Sequence, residues 1–469
     1  MRNARYLLAL GASMSAMLLS SAAIAQDATL DLKDAVAAAL KTNPEINQAI
    51  QNKEATEFER VQAQGQFLPR VSIEGSGGVR RLENNTRRVL GIANKTLYPV
   101  EGGLSVDQII FDSGARSAEL KRQAARTDGA SFRVEERSQF IALNVARQYI
   151  NYLLQQRVVA AAQDNATFHR QLAGDLREGV QKGSISIADQ QQAEERLKAA
   201  EARVVEATED MEAAAIQFRT LTGLDIGMVR VPEALTAKMP PTLDGAVDLA
   251  RTSNPKVLEA QADVNAAQHV IDAARAQLGP TVSLEGRGRI GNDIDGFEGQ
   301  TNDLQGRVVF RWNLFTGGIN KANVQEQIRR ASEARYRLHQ MQREAEEEVR
   351  SAWSRLSNQS RLLAELEDQS KISDDLLLSY REQFNVGRRS LLDVLDSQNT
   401  RYNVQVSRET ARFSQMFAQY RLLAATDKLL DALNLAAPAA AHADATSRFK
   451  AGPPAPAELQ RRVYPTGNQ

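Results

Sequence analysis

Residues 387–398 read GRRSLLDVLDSQ. Two bases, Arg388 and Arg389, stand beside a glycine, and two acids, Asp393 and Asp396, follow three positions apart. On a helix that starts at Ser390 the two carboxylates lie one turn apart, about 4.5 Å along the axis. Local structure accounts for part of this. Ser390 is a helix cap, and Asp393 at the third helical position accepts backbone N–H bonds at the positive end of the dipole. It does not account for Asp396, nor for two arginines at the end of the dipole that repels them. Paired acids also serve hydrolysis, but here they have no companions for it. The four histidines (His169, His269, His339, His442) show no metal-ligand spacing, cysteine is absent, and neither a Gly-x-Ser-x-Gly nor a Gly-rich phosphate loop occurs. The sequence reads as a protein that is not an enzyme, with no catalytic, cofactor or metal residue.

Fifty-eight basic and 58 acidic residues balance, which argues against nucleic acid or an anionic membrane surface as the main partner. The first 25 residues have the pattern of a secretory signal peptide: Arg2 and Arg5, an apolar run from Tyr6 to Leu19, and Ala23-Ile24-Ala25 before the cut. Without a cysteine after that cut, a bacterial lipid anchor and disulfides are both excluded. No later apolar run is long enough for a spanning helix, so any membrane crossing requires a closed β-barrel.

The turn at Gly387 recurs earlier in the chain. At an offset of 204, Glu178, Gly183, Ser186 and Asp189 correspond to Glu382, Gly387, Ser390 and Asp393, and FDSGAR (111–116) to FTGGIN (315–320). At an offset of 211, LKDAVAAALKTNPEI (32–46) corresponds to LDGAVDLARTSNPKV (243–257), and FLPRVSIEG (67–75) to LGPTVSLEG (278–286). One seven-residue gap reconciles the offsets, so the chain is a duplicated unit. Repeat 1 covers 26–223 and repeat 2 covers 243–434, joined by a linker over 224–242. Each has a short helix ending at Asn-Pro, a second helix closed by Pro69 or Pro280, and a pair of alternating strands. These strands are expected at about 70–82 and 101–111, then 281–290 and 303–314. Val71 and Ile73 alternate with Ser72 and Glu74, and Leu304, Val308 and Phe310 with Asp303, Arg307 and Arg311. Full charges in the polar phase, and no second sheet for the apolar phase, favour a wet lumen and a lipid-facing exterior. Proline-free stretches rich in helix formers predict long helices over 114–181 and 318–385, each about 100 Å, with return helices over 186–222 and 390–433. The Ala/Pro-rich tail, 435–469, reads as disordered. Four strands cannot close a barrel alone, whereas two or three copies could.

The duplicated Asn-Pro joint, the strand pair, the long hairpins and the tips KGSISIADQQQAE (182–194) and VGRRSLLDVLDSQ (386–398) together resemble the TolC-like outer membrane factor family. The resemblance spans about residues 30–434. It implies an α+β membrane protein: a homotrimer with a 12-stranded transmembrane β-barrel, four strands per protomer, continued by a periplasmic α-helical barrel. It further implies an outer-membrane exit duct for type I protein secretion, multidrug efflux or both. Its partners would be a periplasmic adaptor and an inner-membrane ABC, RND or MFS transporter, with outer-membrane lipid around the barrel. Carried over by motif, Asp189, Arg389 and Phe384 form the periplasmic gate, with phenylalanine where the family usually has tyrosine. Asp393 and Asp396 match inward acidic rings, and Gly183, Val386 and Gly387 mark the turns that meet the adaptor. The competing reading is a periplasmic coiled-coil adaptor or structural rod, against which the charged-lumen strand pairs speak.

Overall fold

A computed structural model describes residues 29–448; the signal-peptide segment lies outside them. Ten α-helices and six strands are described. The first repeat contains α1 (Leu32–Thr42), α2 (Pro44–Gly65), β1 (Arg70–Gly77), β2 (Arg80–Arg81), α3 (Asn85–Val89), β3 (Thr96–Leu97), β4 (Val100–Phe111), α4 (Ala115–Gln181) and α5 (Ile187–Thr222). The second contains α6 (Leu243–Ser253), α7 (Pro255–Ala276), β5 (Thr281–Asn292), β6 (Gln300–Arg311), α8 (Ile319–Asn385), α9 (Leu391–Ala425) and α10 (Leu429–Ala432). Helices α4 and α8 have 67 residues each, so both run about 100 Å.

The helices form a wall four staves wide. One stave is α2 stacked on α5, the next α4, the next α7 stacked on α9, and the last α8. Each stack turns on one asparagine. Asn43 caps α2 through Oδ1, which accepts the Glu45 N–H at 2.9 Å, while its Nδ2 donates to the Leu221 carbonyl at the end of α5 at 3.3 Å. Asn254 does the same for Lys256 at 3.0 Å and for Ala425, the last residue of α9, at 3.3 Å. The proline that follows each asparagine bars it from helical geometry, ending the preceding helix and starting the next. Between staves, α5 buries Ala193, Ala200, Ala207 and Ala214, and α8 buries Val324, Ala331, Leu338, Ala345 and Ala352. These seven-residue repeats are coiled-coil seams with small residues that allow close approach.

In the sheet, the order is β1-β4-β5-β6, all antiparallel, with β1 and β6 at free edges. Cross-strand register keeps one chemistry per face. Ile73, Leu104, Gly288 and Leu304 share a row, as do Arg70, Asp107, Glu285 and Arg307 on the other side. Ile73 is 83% exposed and Leu304 90%, so within the protomer nothing covers the apolar face. On the polar face Arg307 donates to Glu285 at 2.7 Å and Arg289 to Asp303 at 3.2 Å. The first strand stops at Gly77 rather than near 82, because residues 80–97 fold back as β2, α3 and β3. Arg87, fully buried, donates to the carbonyls of Ile92, Lys95 and Gly296, fastening this excursion to the loop of the other hairpin.

Two further expectations need correction. The second return helix does not continue to 433: it ends at Ala425, Asp427 adopts a left-handed φ of 57°, and α10 follows. The tail is not disordered as far as it is described. Asp128 on α4 accepts the N–H groups of Ala445 and Thr446 at 2.6 and 3.0 Å, and Arg60 on α2 donates to the Arg448 carbonyl at 2.7 Å. Polar bonds to buried charges hold this strap, so a composition rule that counts core-forming apolar residues misses it. At the repeat offsets, Arg60, Glu57 and Asp128 become Ile271, Gln268 and Ser332, so only repeat 1 has the cradle. Residues 449–469 lie outside the described residues.

Two measurements follow from these contacts. Asn43→Ala and Asn254→Ala should each lower stability by about 1–3 kcal/mol, from a lost cap and an orphaned carbonyl. Their effects should add, since the joints share no partner; Asn254→Asp, which retains the cap, should fall between. Thermal denaturation followed by circular dichroism reads this. Separately, burial, with Glu135 and Asp431 nearby, pushes the Asp427 carboxyl from 3.8 up to about 7, and its Oδ1 has no hydrogen-bond partner. A raised carboxyl favours the neutral form, so this contribution to stability is present below about 3.8 and is lost as pH rises through about 7. Asp427→Asn, which tolerates the same backbone region, should therefore be more stable than the natural chain at pH 8. The gap between their melting curves should close on acidification.

Candidate functional site at the hairpin tips

The tips are built twice from the same parts. Helix α4 ends in a turn at Gly183 (φ 76°) and α8 at Gly387 (φ 71°). In each, the residue after the glycine donates back five positions, Ser184 to Gly179 and Arg388 to Gln383, both at 2.9 Å. This is the Schellman closure, and the left-handed backbone is what requires glycine. A Cβ at either position meets no atom within 4 Å, so space alone would admit other residues. Val386 beside the second turn is 69% exposed, which leaves this end of the hairpin bare and apolar.

The returning helices begin with matched caps. Ser186 Oγ accepts the Asp189 N–H at 3.1 Å and donates to the Asp189 carboxylate at 2.7 Å; Ser390 and Asp393 repeat this at 3.2 and 2.8 Å. Asp393 is therefore half cap and half surface charge, with its side chain 41% exposed. Asp396, one turn higher, is exposed.

Within the protomer the structure does not bring Asp189 and Arg389 together. Arg389 lies on its own hairpin, its guanidinium 4.0 Å above the Tyr380 ring and its Nε donating to Gln383 at 3.2 Å. Its Nη1 is 3.8 Å from Asp393, a loose contact. Phe384 faces elsewhere, packing against a cluster of Ala173, Leu176, Ala193, Leu391 and Leu395 that knots both hairpins together. The aromatic in contact with Arg389 is Tyr380, one turn before Phe384.

Above the knot, a heptad series on α4 (Val159, Ala162, Ala166, His169, Ala173, Leu176) lines the seam with α5 and α9. Polar groups interrupt it. Gln398 Nε2 donates to Asn165 Oδ1 at 2.8 Å, while Gln398 Oε1, Ser397 Oγ and His169 Nδ1 have no hydrogen-bond partner. Burial, with Arg196 and Arg203 acting in the same direction, pushes the His169 imidazole down to about 4. Spacing by seven would have revealed the seam from sequence. Among the described residues no group of acids and histidines is arranged to hold a metal.

A lowered histidine favours the neutral form, so its contribution is full above about 6.5 and is lost as pH falls toward about 4. His169→Leu removes both the orphaned nitrogen and this titration. The variant should match or exceed the natural chain in melting temperature at pH 7 and hold its advantage down to pH 5, where the natural chain loses stability. A wider loss in the variant at low pH would contradict the burial of His169.

Comparison with known proteins bears on the chain as a whole. The family model for outer membrane efflux proteins matches residues 35–224 and 246–427, the two repeats. The outer membrane protein TolC of Escherichia coli is 25% identical over 411 residues, 83% of this chain and 80% of TolC. The alkaline protease secretion protein AprF of Pseudomonas aeruginosa is 22% identical over 403 residues, 84% of this chain and 83% of AprF. The fold is that of the CmeC outer membrane channel of Campylobacter jejuni, with a TM-score of 0.73 at 17% identity over 85% of this chain and 86% of CmeC. The reading as a periplasmic adaptor or rod is thereby set aside. With a matched family model over most of its length and relatives in the outer membrane, the chain belongs to the outer membrane efflux protein family, as an outer-membrane channel for secretion or efflux.

Proposed function

We propose that three copies join edge to edge into one exit duct across the outer membrane and the periplasm. The observation that carries this is the protomer's own incompleteness. The sheet has free edges at β1 and β6 and a bare apolar face, and the helical wall has open sides at α2/α5 and α8. A lone chain would leave a row of unpaired backbone groups in hydrocarbon, which is prohibitively unfavourable. Twelve strands from three copies close the sheet, with the Arg/Glu/Asp face inward and the Ile/Leu/Val face to lipid.

At the other end the six hairpin tips converge. Asp393 and Asp396 then form two acidic rings one turn apart around the narrowest passage, which favours cations and binds multivalent ones. Asp189 and Arg389, each held on its own hairpin, latch neighbouring hairpins. A single such exposed pair contributes little, roughly 0–1 kcal/mol, so the closed state depends on repetition around the ring. The turns at Gly183 and Val386-Gly387 face the periplasm and receive an adaptor coupled to an inner-membrane pump of ABC, RND or MFS type. The cargo is a secreted polypeptide, a small toxic compound or both. Deleting the protein and comparing secreted proteins with sensitivity to bile salts and dyes separates them.

Planar-bilayer recording tests the gate. Asp393→Ala with Asp396→Ala should abolish cation preference and multivalent-cation block with conductance little changed. Asp189→Ala or Arg389→Ala should raise conductance and admit large antibiotics into cells. A double aspartate variant with natural selectivity and block would remove the rings from the pore.

A further inference from the structure

Resting on the gate reading above, the geometry points to Tyr380 as the positioning residue of the gate: its ring is the platform that aims Arg389 at an acid on another hairpin. The guanidinium lies over the ring at 4.0 Å to the centroid, and a flat cation is attracted by the electron-rich face of an aromatic. Stacking occupies the face of the guanidinium and leaves its edge free, and the donors lie in that edge. Gln383 takes one of them, the Nε–H, at 3.2 Å. This fixes rotation about the stack, so the two terminal NH2 groups have a set direction. Asp393 is too distant, at 3.8 Å, to take them up with a short bond. The fork is thus oriented and still unsaturated, the state that a bidentate partner needs.

Tyr380 differs from an aromatic that works through its hydroxyl. Among the described residues its hydroxyl makes no hydrogen bond, while its ring makes the contact with Arg389. Phe384 cannot take this part, because it is committed to the cluster with Leu391 and Leu395. Division of labour follows: Phe384 ties the two hairpins of one protomer together, and Tyr380 presents the charge that reaches between hairpins. Both tasks fit within one turn of α8, positions 380 and 384 being four residues apart.

A four-variant set read by planar-bilayer recording tests this, with trimer heat-resistance on gels as the structural control. Tyr380→Leu should raise the ratio of open to closed channel by about two- to fivefold per copy, the worth of one exposed cation–π contact. Tyr380→Phe, which keeps the ring and drops the hydroxyl, should behave as the natural chain. Arg389→Ala should open the channel, and Tyr380→Leu added to it should change nothing further, because the tyrosine acts only through the arginine. Tyr380→Phe behaving like Tyr380→Leu, or additive effects in the double variant, would overturn the platform and leave the gate intact. An Arg389→Ala channel that stays closed would overturn the gate itself. Heat-resistant trimer should be unaltered in all four; its loss in Tyr380→Leu alone would make the residue structural and end the proposal.

Discussion

Everything else in the wall depends on the Asn–Pro joint. A helix pair that must span the length of a 67-residue neighbour could be one long helix, yet the stave is made of two separate stretches of chain, α2 leading into the sheet and α5 returning from the tip. The solution is a helix stacked end-on to another, and the exposed polar ends that stacking creates must be satisfied. Asparagine carries both an acceptor and donors on one short side chain. It therefore caps the incoming helix and meets the carbonyl at the end of the outgoing one, at 3.3 Å in both repeats. Aspartate offers the acceptor alone, and serine lacks the reach. Proline at the next position removes the N–H that has no partner there and forbids the asparagine from continuing the preceding helix.

Between the joint and the tip, packing is governed by small residues at sevenfold spacing, and the polar positions in that pattern are the informative ones. An apolar seam would slide little once formed. Asn165, His169, Ser397 and Gln398 place buried polar atoms, three of them unsatisfied, in the α4 seam nearest the tip. Each unsatisfied atom carries a desolvation cost of about 1–3 kcal/mol that water would relieve. The seam above the tip knot therefore carries three such atoms, while the belt around Tyr149, Phe218, Tyr420 and Leu423 is apolar and has Gln139 Oε1 and Asp427 Oδ1 unsatisfied near it.

The parts of this molecule that were legible in sequence are those written as spacing. Repeat offsets located both tips and both strand pairs, since glycine at a left-handed turn and serine three residues before an acid have local causes. Alternation separated Ile73 and Leu304 from Asp303 and Arg307 without any knowledge of partners. Illegible parts rest on contacts distant in the chain. The strap at Ala445–Thr446 is held by Asp128 and could not be seen in a stretch of alanine and proline. Asp427 breaks its helix in a sequence with no glycine or proline to announce it. Of the tip, the repeat offset made the Ser390–Asp393 cap legible and the family resemblance pointed to Arg389 and Phe384, while the contact of Tyr380 with Arg389 was written in neither.

Sheet and wall are each four elements wide, and that equality sets a geometric conflict which the junctions resolve. Strands are about 4.8 Å apart, so four of them tilted by about 40° occupy about 25 Å of circumference. Helices pack at about 9 Å, so four staves occupy about 36 Å. In the proposed ring, whatever the copy number, the helical part is wider than the sheet by a factor of roughly 1.4. The chain has to step outward where strand becomes helix. At that point the backbone leaves its ordinary range: Ser113 and Gly114 have φ of 56° and 96°, and Gly317 and Gly318 have 64° and 86°. Ser113 also donates to the Pro280 carbonyl at 2.8 Å, binding one repeat's step to the entry of the next repeat's strand. A non-glycine residue held in the left-handed region costs free energy, and in the proposed ring the outward step at this junction accounts for it.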